Sequence, residues 1–144
     1  MEIGKLKPDA TMADDGVWRT FMDATKDEPA VEFLIGYIGN KSYRKKLTAI
    51  SFKARAKRAA RDIPPAVQNE VQAEAMIGTV FLGWRGLTEN GKPEEFTEAK
   101  ALKLLNDSIE IFNFVQNEAG TLENFQASEG ESGEEPKAAL KSRA

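Results

Sequence analysis

Apolar residues recur at every second position early in this chain and at every third and fourth position later, so it reads as strands followed by helices. Val17-Trp18-Arg19-Thr20-Phe21-Met22 and Ala30-Val31-Glu32-Phe33-Leu34-Ile35-Gly36-Tyr37 are β-rich, and Val31, Phe33, Ile35 and Tyr37 share one face by period two. They predict a two-stranded hairpin joined by a loop from Asp23 to Pro29. A lone hairpin is marginal in water, so its apolar face must rest on the helices that follow. From Lys41 to Arg61 the residues Tyr43, Leu47, Ile50 and Ala54 describe one face of a helix. Ile63-Pro64-Pro65 breaks that helix, and Pro65 suits the first turn of the next. The stripe Val67, Val71, Ala75, Gly78 and Leu82, widened by Met76, Val80 and Phe81, predicts a second helix running to Gly83.

Beyond that stripe, Trp84 is expected to plug the angle between two helices. Asn90-Gly91 tolerates positive φ and Pro93 fixes its own φ, which predicts a turn. Thr97 is then placed to cap a third helix through Leu105. Asp107 with Glu110 three residues on has the form of a capping box for a fourth helix, striped by Ile109, Phe112, Val115 and Ala119 and extended by Leu122 and Phe125. The expected fold class is therefore α+β and mainly helical: an N-terminal β-hairpin packed on a bundle of about four helices, with a disordered C-terminal tail. Residues 1–15 read as a flexible N-terminal arm, 16–125 as one domain, and 126–144 as an acidic tail. That tail holds a single large apolar residue, Leu140, and so buries too little surface to offset its ordering entropy.

Composition narrows the chemistry. The 144 residues include no cysteine and no histidine, which removes thiolate sites, the usual general base and the commonest nitrogen ligand for metals. Of the 23 acidic residues, Asp14-Asp15 and Asp27-Glu28 flank candidate turns, Glu94-Glu95 sit next to a proline, and Glu129, Glu131, Glu134 and Glu135 lie in the tail, the pattern of solvated surface charge. The glycines match no phosphate-binding spacing. An enzyme is not expected, nor a catalytic residue, cofactor or metal. No apolar run reaches the roughly 18 residues of a membrane span, and no signal peptide is evident, so no membrane partner is expected and the cytoplasm is the expected location.

Charge adds one feature. Between Lys41 and Arg61 lie Lys41, Arg44, Lys45, Lys46, Lys53, Arg55, Lys57, Arg58 and Arg61 with no acidic residue among them, leaving 11 of the 20 basic residues against 23 acidic ones elsewhere. A basic face can track phosphates, meet an acidic partner helix, or simply be solvated. No aromatic platform is interleaved with these charges, so nucleic acid ranks below a protein partner.

The order of features, from the β-rich segment ending near Asn40 through Leu82-Gly83-Trp84, Gly86-Leu87, Asn90-Gly91, Phe96-Thr97 and Leu104-Leu105 to a last helix ending near Phe125, resembles the tail assembly chaperones of long-tailed bacteriophages. The similarity covers about residues 16–125 and is sharpest from Trp84 to Leu105. It implies a non-catalytic protein, made in the host cytoplasm and not expected in the mature virion. Such a protein binds the tape measure protein, keeps it soluble and helps recruit the major tail tube protein, with self-association left open. It also implies a longer product made by ribosomal frameshift, for which Ala139-Leu140-Lys141 is codon-compatible. On this reading the partner-binding residues are Arg44, Lys45, Lys46, Lys53, Arg55, Lys57, Arg58 and Arg61 on the rim of a groove between the second and fourth helices, near Trp84 and Phe112. For those two residues the reading as core ranks ahead of binding surface. The alternatives are a nucleic-acid-binding accessory protein that uses helix 41–61, and a structural tail protein retained in the virion.

Overall fold

Period two along the N-terminal segments is realised as two antiparallel strands, β1 (Val17–Met22) and β2 (Val31–Ile35), with Val17 opposite Ile35 and Arg19 opposite Phe33. The computed structural model describes residues 2–57 and 64–127. Its fold is α+β and mainly helical, with α1 (Ala10–Asp15), α2 (Lys41–Lys57), α3 (Pro65–Met76), α4 (Glu98–Asp107) and α5 (Ile109–Ala119) around a small antiparallel sheet. The acidic tail expected over 126–144 falls almost wholly outside the described residues, as do Arg58 and Arg61.

The sheet has a third strand. The helix expected to reach Gly83 stops at Met76, and β3 (Phe81–Arg85) pairs antiparallel with β2, giving the order β1-β2-β3. Gly78, at φ 79°, reverses the chain after α3. The β-branched and aromatic residues Thr79, Val80, Phe81 and Trp84 then favour a pleated strand over continued helix. The stripe of threes and fours through Gly78 and Leu82 was a coincidence of spacing. Burial on β2 explains the choice, because Trp84 opposite Phe33 and Phe81 opposite Ile35 put four large side chains into one core.

Three further boundaries differ from the expectation. Residues 10–15, read as part of a loose arm, form α1: Asp9 caps it by accepting from the Met12 amide, Ala13 is buried, and the Asp9 amide donates to the Phe125 carbonyl. The cap of α5 is Ser108, whose Oγ accepts from the Ile111 amide at 3.2 Å, while Asp107 ends α4 and Ile109 is exposed. Helix α5 stops at Ala119, and Phe125 enters the core from a 3₁₀ turn, Leu122–Phe125. The predicted turn over Asn90-Gly91 and the Thr97 cap both stand. Asn90 and Gly91 have φ of 55° and 77° between the short strands β4 (Thr88–Glu89) and β5 (Lys92–Pro93), and Thr97 accepts from the Lys100 amide.

At the centre of the core, the Phe33 ring lies 5.3 Å from Phe81, 5.6 Å from Phe21 and 6.0 Å from Phe114. A salt bridge from Arg19 to Glu118, 2.8 Å long, ties β1 to α5. Asn40 is the buried polar side chain among the described residues. Its Oδ1 accepts from the Tyr43 amide at 2.6 Å and caps α2, while its Nδ2 donates to the carbonyls of Thr79 at 3.0 Å and Ala13 at 3.4 Å.

Replacing Asn40 with Ala removes the cap and takes a donor from the half-buried Thr79 carbonyl, while the Ala13 carbonyl keeps the Tyr37 amide, and is expected to cost about 1–2 kcal/mol in chemical denaturation. Gly86 has φ 91°, and a Cβ there would run into the Ala30 carbonyl. Gly86→Ala should therefore lower stability by at least about 2 kcal/mol in the same measurement.

Candidate protein-binding groove

Seven of the nine basic residues on the sequence 41–61 lie on described α2, and their density decides how that helix packs. A helix with so many cations cannot be buried on all sides, and of its residues Tyr43 alone is buried. Helix α3 lies alongside it. The two are tied at one end, where Asn40 reaches the Thr79 carbonyl and Lys46 Nζ donates to the Ile77 carbonyl at 2.6 Å. Ile77 follows the last residue of α3, so Lys46 satisfies a helix-end carbonyl and complements the helix dipole. Burial pushes the Tyr43 phenol above its usual pKa, and a hydrogen bond with Gln72 of α3 pulls it partly back.

Away from that root, burial falls off along α3. Val71, Ala73, Ala75 and Met76 of α3 are buried, whereas Pro65, Ala66 and Glu70 are exposed and Val67 is half-buried. A groove of about 590 Å³ runs along this outer half. Ile50 and Ala54 of α2 and Val67 and Val71 of α3 line it, together with Lys53 and Lys57 from α2 and Glu70 and Glu74 from α3. The ion pairs among the described residues are Arg19–Glu118, Arg85–Glu32, Lys100–Glu94 and Lys103–Asp107, and none closes the groove. On another side of α2 the Phe52 ring is 72% exposed, next to exposed Ala49 and Ala56.

The structure thus separates the expected site residues. Arg44, Lys45 and Arg55 are exposed on α2, Lys53 and Lys57 face the groove, and Lys46 is engaged with α3. Trp84 and Phe112 belong to the core, at 9% and 5% exposure. The Trp84 indole donates to the Glu94 carbonyl at 2.8 Å and its ring packs edge-on against Phe96 at 4.8 Å. A pocket of about 280 Å³ does border Trp84, between the β4–β5 turn and α4, but neither Phe112 nor any basic residue of α2 lines it. The groove that Lys53 and Lys57 line lies between α2 and α3. Phe52, Glu70 and Glu74 were not singled out from the sequence. The spacing did hold a signal for Phe52, which falls off the stripe of Tyr43, Leu47, Ile50 and Ala54.

No group of three or more metal-binding side chains gathers among the described residues. No described helix is long and apolar enough to cross a membrane. Residues 38–135 match the family described as YdaY prophage protein, a stretch that runs from the start of α2 through all the later elements. The chain belongs to the YdaY prophage protein family. It is accordingly a protein of bacteriophage origin. No curated protein and no solved structure matches it. The family match takes in the α2–α3 pair and its groove whole, and leaves out β1 and β2.

Exposure separates surface aromatics from core ones in a way that stability measures directly. Phe52→Ser should change unfolding free energy by no more than about 0.5 kcal/mol, whereas Phe33→Ala should cost about 3–5 kcal/mol.

Proposed function

We propose that this prophage protein is a tail assembly chaperone that acts in the host cytoplasm. It binds the tape measure protein, keeps that chain soluble until the tail tube encloses it, and helps recruit tail tube subunits. The observation that carries the reading is the groove between α2 and α3, in which partly covered apolar side chains stand beside a dense row of cations. A long helix-rich client exposes apolar stripes before assembly, and sheltering them needs apolar contact that is non-directional, with charges that steer encounter. On this reading no bond is made or broken, and the protein leaves before the particle is complete. The phage origin of the family supports the setting, and the resemblance in feature order supports the task.

The test is co-expression with the long helix-rich protein encoded in the same prophage. Soluble client should rise with the chaperone present and the two should copurify. Replacing Arg55, Lys57, Arg58 and Arg61 with Glu should leave the far-UV circular dichroism unchanged and weaken client binding by about tenfold or more. Unchanged binding would remove α2 from the mechanism. Capture of RNA with a steep dependence on salt would instead favour the nucleic-acid reading. Recovery of the chain from purified particles would favour a structural tail protein.

A further inference from the structure

The two sides of the groove differ in sign. On α2, Lys53 and Lys57 stand four residues apart and so share a face, and on α3 the same holds for Glu70 and Glu74. Between these rows the apolar floor repeats the spacing, with Ile50 and Ala54 on one helix and Val67 and Val71 on the other. No salt bridge joins the rows across the groove. Each row therefore remains available to charges brought by a partner.

We propose that this groove accepts an amphipathic helix whose apolar stripe is bordered by acidic residues along one side and basic residues along the other, and that the helix lies in one direction only. The proposal rests on the reading of α2–α3 as the client-binding element and adds the chemistry and polarity of the client segment. Four residues of helix span about 6 Å, so the floor offers roughly one turn from each wall, enough to seat anchors spaced three and four apart on a partner helix. With its stripe down and its acids toward Lys53 and Lys57, such a helix sets its basic side against Glu70 and Glu74. Turned end for end in the groove, it would set acid against acid and base against base. Direction is thus decided by the borders, while the apolar floor supplies contact without regard to sequence. Copies of the protein bound along one long client would all point the same way.

The test uses the full chain and three designed helical peptides of about 16 residues with one shared leucine stripe. One has Glu along one border and Lys along the other, one has Glu on both, and one has Lys on both. In titration calorimetry at low salt the mixed peptide should bind about tenfold tighter than either of the others. In the double variant Lys53→Glu/Lys57→Glu, whose circular dichroism should match the parent, the all-Lys peptide should become the preferred ligand. A spin label on the N-terminus of the mixed peptide should broaden methyl signals at one end of the groove, either Ile50 and Val71 or Ala54 and Val67. Exchanging its Glu and Lys borders should move the broadening to the other end. Equal affinities for the three peptides, or broadening at both ends alike, would overturn the directional groove. Tape-measure fragments that bind while the peptides show no border preference would leave the chaperone reading standing and sink this one. Peptides that behave as expected while no fragment binds would do the reverse.

Discussion

Asn40 holds the architecture together where three parts of the chain meet. Its side chain closes the end of α1 through Ala13, starts α2 through the Tyr43 amide, and secures the turn after α3 through Thr79. A buried amide with its donors and acceptor engaged is costly to displace, because its own polar atoms would be left buried without partners. The groove therefore owes its position to this polar junction together with burial of Tyr43, Ala73, Ala75 and Met76 in the shared core.

Stability is distributed accordingly. The sheet and α5 share a core in which Phe33, Ile35, Phe81 and Val115 are fully buried, and aromatic rings chain from Phe21 through Phe33 and Phe81 to Trp84 and Phe96. The outer half of α2–α3 contributes little to that core. Its walls expose lysines and glutamates, and its apolar floor is only partly covered. Regions of low burial are where a protein can open or adapt at small cost. A charged, half-apolar pair of helices beside a well-buried core fits the proposed chaperone role, in which many similar segments are held in turn.

Several elements could be read without coordinates because they depend on neighbours in the chain. Pro65 at the first turn of α3, Thr97 as a cap and Asn90-Gly91 at positive φ are local stereochemistry, and each stands in the structure. The cationic face of α2 and the apolar alternation of β2 were legible for the same reason. The boundary between α3 and β3 was not. Phe81 and Leu82 fit a helical stripe as well as they fit a strand, and an adjacent strand to pair with settled the matter, which periodicity does not register.

The sequence by itself determined that this chain has a pair of strands ahead of its basic helix, that this helix is too charged to be enclosed, and that the chain has neither thiol nor imidazole chemistry, since these follow from residue type and spacing alone. Tertiary structure decided what the aromatics do and where the open surface lies. Trp84 and Phe112 are core because β3 joins β2 and α5 closes over the sheet, and the groove lies between α2 and α3 because the Asn40 junction and Lys46 fasten that pair at one end. Both outcomes rest on contacts between residues far apart in the chain, and such contacts are chosen by the packing of the whole core.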